Sequence, residues 1–315
     1  TRTSRRSATC CCSRRCGPRP EPVSAGGAPH GAAPVARTGV FDSGVGGLTV
    51  LRALLDRLPA ERFVYLGDTA RLPYGTKSGA TVARYSVQCA SLLVARGIDT
   101  LVVACNTASA VALPGLRAAF PGLPVHGVIE PGARAAVAAT RGGHVAVIAT
   151  EGTVRGGAYT RAIQALAPDV RVTAIACPLF VALAEEGWTD GPIVEAIARR
   201  YLAPTFDSAR APDTLVLGCT HFPALRAALA AVLGPGVTIV DSAATTAEAV
   251  AATRTAGAVD AAGAVGATGA ADANAGDRVR LLATDGAERF ARVSAVFGVP
   301  VAPESVELVD LVTAA

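Results

Sequence analysis

The amino-acid sequence predicts an α/β protein with two similar, pseudo-symmetric lobes, mostly parallel sheets and an active site at the lobe interface. From Thr38 onward, short β-branched runs alternate with longer Ala/Leu-rich amphipathic stretches, a pattern typical of parallel sheets. A nine-residue segment also recurs: Asp99–Thr107 (DTLVVACNT) resembles Asp213–His221 (DTLVLGCTH) at an offset of 114 residues. Each copy carries a cysteine at the end of a buried strand, so the repeat predicts two half-sites that face each other.

Hydrophobic periodicity divides the chain into short strands and longer helices. Strands are predicted at Thr38–Phe41, Phe63–Leu66, Thr100–Ala104, Val125–Ile129, Val145–Ala149, Val170–Ile175, Thr214–Leu217, Val237–Val240 and Val279–Ala283. Helices are predicted at Leu48–Leu58, Ala80–Ala95, Pro131–Ala139, Ile193–Leu202 and Ala287–Val296. In such folds the loops at the carboxyl ends of the strands build the site, so the polar residues directly after these strands are the functional candidates.

Two segments differ in composition from the rest of the chain. Residues 1–36 are rich in Arg, Ser, Pro, Gly, Ala and Cys without periodicity, which predicts a disordered Arg/Cys-rich leader. Its composition is similar to that of a transit peptide, but the chain starts at Thr1 and contains no Met. We therefore interpret the leader as a mis-set start or an expression remnant. Residues 256–277, mostly Ala and Gly with a few acids and no periodicity, predict a low-complexity surface insertion.

Charge and cysteine usage exclude several classes of protein. The chain carries +4, but residues 1–37 hold seven arginines and one acid, a balance of +6 that leaves −2 for the remainder. No nucleic-acid surface is therefore expected, and every long apolar run is interrupted by Asn, Thr, Arg or Gly, so no membrane span is expected either. The body cysteines Cys89, Cys105, Cys177 and Cys219 are too widely spaced for a small disulfide framework, which favours a reducing cytoplasm.

The repeated cysteines, Cys105 and Cys219, are the strongest functional candidates. A thiol between a strand end and a helix start experiences the positive end of the helix dipole, which is expected to lower its pKa toward neutrality. Asn106 and Thr107 are expected to cap the first helix, and Thr220 and His221 to begin the second. Two chemically alike residues on opposite faces of a carbon suit racemisation, in which one removes a proton and the other delivers one.

Other interpretations of the cysteines are weaker. A single buried cysteine is more often part of a core than of a catalytic site, but a matched pair followed by polar residues is poorly explained in that way. Metal binding is disfavoured because the body lacks a Cys-x-x-Cys motif and the whole chain has only four histidines. Cys89 and Cys177 are interpreted as structural thiols.

Further motifs surround the cysteines. The segment Asp42–Gly47 (DSGVGG) follows a strand and opens a helix, so it predicts a tight turn and an anion cradle in which Ser43 binds a carboxylate. It lacks the spacing of a dinucleotide fingerprint and the Walker lysine. Thr150–Thr153 (TEGT) predicts a capped helix start, and His221 is placed to exchange protons with Cys219.

Taken together, these residues resemble the glutamate racemase family, within the aspartate/glutamate racemase superfamily. The matching segments occur in order along the chain: Val40–Leu48 (VFDSGVGGL), Asp68–Thr69, Pro73–Gly75 (PYG), Ala104–Ala108 (ACNTA), Thr150–Thr153 (TEGT), Gly218–Pro223 (GCTHFP), Thr284–Gly286 and Glu288–Phe290. The leader and residues 256–277 have no counterpart in the family, and neither interrupts a motif.

The resemblance implies a site and a domain organisation. It implies that Cys105 and Cys219 are the catalytic acid/base pair, assisted by Asp42, Glu151 and His221. It implies substrate contacts from Asp42, Ser43, Tyr74, Gly75, Asn106, Thr107, Thr220 and His221. Residues 37–129 and 238–315 are expected to form the first lobe, and residues 130–237 the second. The resemblance implies no pyridoxal phosphate, other cofactor or metal. It implies that the protein forms a homodimer and that its product, D-glutamate, enters peptidoglycan.

Three alternatives stay open. An aspartate or hydantoin racemase of the same superfamily would use the same chemistry, although the Asp42–Gly44 and Cys219–His221 segments favour glutamate by resemblance. A two-lobed amino-acid-binding protein would not need paired cysteines. A redox protein would join Cys105 to Cys219 in a disulfide.

Overall fold

Two parallel β-sheets lie at the centre of the computed structural model, which describes residues 36–261 and 278–311. The strands are β1 (Arg37–Asp42), β2 (Arg62–Gly67), β3 (Thr100–Val103), β4 (Val125–Gly127), β5 (His144–Ala149), β6 (Arg171–Ala176), β7 (Thr214–Gly218), β8 (Thr238–Asp241), β9 (Val279–Ala283) and β10 (Val306–Leu308). The first sheet has the order β10-β9-β2-β1-β3-β4, and the second has the order β6-β5-β7-β8. The predicted fold class is confirmed.

Helices cover both sheets, and all the described residues belong to one compact unit. They are α1 (Leu48–Arg57), α2 (Gly79–Ala95), α3 (Asn106–Val111), α4 (Leu113–Ala119), α5 (Ile129–Ala139), α6 (Glu151–Gly156), α7 (Ala158–Leu166), α8 (Leu179–Glu185), α9 (Gly191–Phe206), α10 (Arg226–Leu233), α11 (Ser242–Ala261) and α12 (Ala287–Ser294). No helix in the described part of the chain is long and apolar enough to cross a membrane.

The burial of the central strands explains why the corresponding runs in the sequence are almost entirely apolar. Strands β3, β5 and β7 are buried along their whole length because helices cover both faces of each sheet. In the first sheet β1 pairs with β2 and β3, and in the second β5 pairs with β6 and β7. In each sheet the chain first adds a strand on one side and then crosses to the other side, between β1 and β3 in the first sheet and between β5 and β7 in the second. These positions are topological switch points, where parallel sheets bind ligands at the carboxyl ends of their strands.

The internal repeat has a structural counterpart at the opposite ends of these strands. Asp99 accepts a hydrogen bond from the Arg37 backbone N–H at 2.7 Å, and so ties the start of β3 to the start of β1. Asp213 accepts bonds from the backbone N–H groups of Arg141 and Gly142 at 2.7 and 2.6 Å, just before β5. The two equivalent acids thus brace equivalent strand pairs, and each repeat ends with its cysteine at the carboxyl edge.

Several expected boundaries differ from the structure. Strand β8, which the sequence assigns to the first lobe, pairs with β7 and extends the second sheet, because strand partners are chosen by long-range packing that local periodicity does not reveal. Strand β4 stops at Gly127 and Ile129 already begins α5. Strand β10 has three residues, too few for an alternation to be recognised. Helix α11 continues to Ala261, so residues 256–261 of the expected insertion are helical.

The remaining compositional predictions fall outside the described residues. These are the leader, apart from its last residue Ala36, and residues 262–277 of the expected insertion.

Candidate active site

A cleft of about 300 Å³ opens at the carboxyl ends of β1, β3, β5 and β7. This volume lies at the lower end of the range of roughly 300–1,000 Å³ for small-molecule sites, which suits a ligand the size of an amino acid. The lining residues are Ser43, Gly44, Leu72, Pro73, Tyr74, Gly75, Thr76, Cys105, Asn106, Thr107, Thr150, Glu151, Pro178, Val181, Ala182, Glu185, Cys219, Thr220 and His221. This described lining contains no Lys or Arg.

Cys105 lies at the end of β3 and is itself the N-cap of α3, so the expected caps Asn106 and Thr107 are inside the helix. Its sulfur donates to the Ser43 hydroxyl at 3.4 Å and accepts from the Ala108 backbone N–H at 3.5 Å. Burial, followed by the charge of Asp42, raises the pKa of the Cys105 thiol to about 12, although these two hydrogen bonds lower it in part. The expectation of a lowered pKa is therefore wrong for Cys105, because burial outweighs the short helix.

Cys219 lies at the end of β7 in a different electrostatic setting. The sulfur is 3.7 Å from His221 Nδ1, and His221 Nε2 is 3.0 Å from a carboxylate oxygen of Glu185. Burial alone would lower the pKa of His221, but hydrogen bonds to Cys219 and Glu185, together with their charges, raise it to about 10. His221 is thus an imidazolium at neutral pH, and both of its ring nitrogens donate.

The helix expected directly after Cys219 is absent from this described segment. A short 3₁₀ turn, Phe222–Leu225, follows His221, and α10 begins only at Arg226. The electrostatic partner of Cys219 is therefore the side chain of His221.

Glu185 is a residue of the cleft that the sequence does not predict. It ends α8, where it also accepts from Arg289 at 2.6 Å. Burial would raise its pKa, but His221 and Arg289 lower it overall, so Glu185 is a carboxylate at neutral pH. The signal available in the sequence was a carboxylate on an otherwise apolar helix. Glu151, the acid selected instead, is exposed at the edge of the cleft.

Asp42 lies behind the cleft and not in its lining. It is fully buried, its Oδ2 accepts from the Gly44 backbone N–H at 2.9 Å, and its Oδ1 has no partner in the described structure. Burial raises its pKa, while the charge of His221 and the N–H groups of Gly44, Gly47 and Ser43 oppose that rise. The predicted strand-to-helix turn is present, but the group that its Gly44 N–H holds is the side chain of Asp42 itself.

Neutral polar groups form the walls between the cysteines. The hydroxyls of Thr107, Thr150 and Thr153 lie within 3.0–3.2 Å of one another and join α3 to the start of α6. Asn106 lines the cleft, and its Nδ2 has no partner in the described structure. Thr220 lines the opposite wall, where its backbone carbonyl accepts from the Thr49 hydroxyl at 3.0 Å.

Tyr74 and Gly75 complete the lining on the side of the first sheet. The Tyr74 hydroxyl donates to Asp68 at 2.5 Å, and Tyr74 lines the cleft. A Cβ atom at Gly75 would lie 2.8 Å from the Cβ of Thr150, so the two walls approach too closely there for a larger residue. The structure thus brings together every predicted site residue except Asp42, which lies directly behind the cleft.

Comparison with known proteins identifies the class to which this fold and cleft belong. The profile of the Asp/Glu/Hydantoin racemase family matches residues 46–250, and the chain belongs to this family. A glutamate racemase from Geobacter metallireducens is 56% identical over 213 residues, which cover 68% of this chain and 78% of that protein. The predicted resemblance to glutamate racemases is confirmed, and with it the prediction of an isomerase that acts on amino acids.

Solved structures agree with the sequence relatives. A glutamate racemase isoform from Bacillus anthracis superimposes with a TM-score of 0.78 at 35% identity, covering 88% of this chain and 98% of that one. A glutamate racemase from Francisella tularensis, solved in complex with D-glutamate, superimposes with a TM-score of 0.75 at 31% identity over the same shares of each chain.

Proposed function

We propose that this protein interconverts L- and D-glutamate by proton transfer between two cysteines, Cys105 and Cys219, without a cofactor. The observation that carries the proposal is electrostatic. Two sulfurs from equivalent strand ends line one cleft, one beside the acidic side chain of Asp42 and the other beside the imidazolium of His221. Such opposite settings suit one proton donor and one proton acceptor.

The reaction balances with these two groups alone. In one direction the Cys219 thiolate, stabilised by the His221 imidazolium, removes the α-proton, and the Cys105 thiol delivers its proton to the opposite face. The product leaves, and Cys105 regains a proton from solvent as Cys219 loses one. In the other direction Cys105 removes the α-proton and Cys219 delivers one. Asp42 then lies beside the Cys105 sulfur, which must first give up its own proton.

The cleft lining suits an intermediate with charge on the α-carboxylate. Removing the α-proton pushes charge onto that group, so donors aimed at it stabilise the transition state. We propose that Ser43, Asn106, Thr107, Thr220 and the backbone at Tyr74 and Gly75 supply these donors, with His221 adding its charge. Glu185 holds His221 protonated. The predicted assisting role of Glu151 stays a prediction, to be tested by Glu151→Gln.

Similarity to glutamate racemases favours glutamate as the substrate over aspartate or hydantoins. A panel of L-amino acids, with optical rotation as the readout, separates these possibilities. A protein that binds glutamate without changing its rotation would support the non-catalytic binding protein instead. The redox alternative has less support, since Cys105 and Cys219 are both free thiols in the structure.

The direct test replaces each cysteine by serine. Cys105→Ser and Cys219→Ser are expected to abolish racemisation of L-glutamate while the protein stays folded. Cys89→Ser is the matched control: Cys89 is equally buried, but it lies outside the cleft lining, and serine can still accept from Arg71. Unchanged racemisation in either cleft variant contradicts the proposal.

The physiological setting follows from the same assignment. We propose that the enzyme acts in the cytoplasm, as its free buried thiols suggest, and that its D-glutamate enters peptidoglycan. We also propose a homodimer. The exposed apolar side chains Leu179, Trp188 and Ile193 near α8 and α9 supply a surface for self-association. Light scattering that finds only monomer at assay concentrations would contradict the dimer.

A further inference from the structure

A tyrosine outside every predicted set of site residues connects the two halves of the cleft. Tyr159 belongs to α7, which packs on the second sheet, and Asn106 begins α3, which follows β3 of the first. The Tyr159 hydroxyl donates to Asn106 Oδ1 at 2.7 Å. Both residues are 3% exposed, so water does not compete for this bond. It therefore joins the two half-sites directly behind the cleft.

The bond determines which end of the amide is available to a substrate. An asparagine side chain offers one accepting oxygen and one donating nitrogen. With Oδ1 engaged by Tyr159, the donor Nδ2 is left without a partner although it is buried in a residue that lines the cleft. A buried donor without a partner is unfavourable, so an acceptor from the substrate is the expected partner. A carboxylate oxygen meets that requirement.

The position of Tyr159 is constrained on two sides by glycine. A Cβ atom at Gly132 of α5 would lie 3.3 Å from Tyr159 Cε1, and one at Gly218 would lie 3.1 Å from Tyr159 Cε2. Gly218 directly precedes Cys219, so the ring lies against the strand end that carries one catalytic sulfur. Burial raises the pKa of the Tyr159 phenol, so the hydroxyl keeps the proton that it donates to Asn106.

We propose that Tyr159 is a positioning residue that orients the Asn106 amide with its nitrogen toward a substrate carboxylate. This inference rests on the proposed function, because the carboxylate belongs to the amino acid that is racemised. Tyr159 does not touch the reacting atoms. It acts through Asn106, and that dependence distinguishes it from a tyrosine that only fills space.

The test is a double-mutant cycle with Tyr159→Phe, Asn106→Ala and the combined variant, assayed with L- and D-glutamate. Tyr159→Phe is expected to lower kcat/KM by roughly three- to tenfold, the effect of one neutral hydrogen bond. The fall is equal in both directions, because the two enantiomers have equal free energy. The combined variant is expected to be no worse than Asn106→Ala alone, since Tyr159 then has nothing to orient. Tyr201→Phe, which removes a hydroxyl outside the cleft lining, is the matched control.

A second readout does not depend on activity. The ¹⁵N-labelled side-chain amide of Asn106, assigned by its loss in Asn106→Ala, is expected to shift and broaden in Tyr159→Phe and to stay unchanged in Tyr201→Phe. Additive losses of kcat/KM, or an Asn106 amide signal that Tyr159→Phe leaves unchanged, overturn the inference. If the wild-type protein does not racemise glutamate, the proposed function fails, and the amide signal still decides whether Tyr159 orients Asn106.

Discussion

Replacing Glu185 by glutamine tests whether a buried carboxylate keeps His221 charged. The Glu185 oxygen lies 3.0 Å from His221 Nε2, and the two side chains are only 13% and 9% exposed. An opposite charge at this range shifts a pKa by about 1–3 units, which corresponds to about 1.4–4 kcal/mol. We therefore expect Glu185→Gln to lower the pKa of His221 from about 10 to a value about 1–3 pH units lower. The alkaline limb of kcat/KM against pH moves down with it.

The sign of the linked stability follows from the same shift. The folded-state pKa of His221 is raised above its ordinary 6.5, so its contribution to stability is fully present below pH 6.5 and is lost as the pH rises through 10. In Glu185→Gln this loss is smaller and is complete at a lower pH.

The measurement is an NMR titration of the histidine ring nitrogens together with the pH profile of kcat/KM. Glu186→Gln removes the neighbouring exposed carboxylate and serves as the matched control. A wild-type His221 that titrates near 6.5, or a titration that Glu185→Gln leaves unchanged, refutes the reasoning.

Three further predictions concern the surroundings of the cysteines. A Cβ atom at Gly46 would lie 2.5 Å from the His221 ring. Gly46→Ala is therefore expected to displace the imidazole and to lower kcat about 100-fold in steady-state kinetics. A near-normal kcat would show that the ring tolerates the displacement. Asp68 is fully buried and accepts a hydrogen bond from Arg71 at 2.7 Å. Asp68→Asn is therefore expected to lower the free energy of unfolding, measured by urea denaturation, by about 3 kcal/mol, and a loss below about 1 kcal/mol would contradict this expectation. The pKa of Cys105 is about 12. The rate of Cys105 alkylation in the ligand-free protein is therefore expected to rise about tenfold per pH unit between roughly pH 7 and 10, with mass spectrometry as the readout. A plateau of the rate near neutral pH would indicate a preformed thiolate.

Much of the site could be predicted because it depends on local sequence. The repeat around Cys105 and Cys219 places each sulfur at a strand end of its own sheet, at the carboxyl edge where parallel strands build a site. The glycine turn after Asp42 is equally local, since its N–H groups close on the preceding carboxylate. These features need only the pattern of buried strands and the residue types that follow them.

What could not be predicted depends on contacts between distant segments. Glu185 meets His221 from 36 residues away, and Tyr159 meets Asn106 across 53 residues, so neither pairing has a local signature. The raised pKa of Cys105 has the same origin: its burial and its proximity to Asp42 exist only once β1 and β3 pair. The dipole of a short helix was the only influence visible in the sequence, and it is the weaker one.

The most direct test of two-sulfur proton transfer follows early turnover of L-glutamate in D₂O. If separate groups act on the two faces, the D-glutamate formed carries α-deuterium while the remaining L-glutamate is still protiated, and both Cys105→Ser and Cys219→Ser abolish the inversion. Deuterium that enters the remaining L-glutamate as fast as the product forms, or a product that keeps the original proton, would show that a single group serves both faces and would contradict the account.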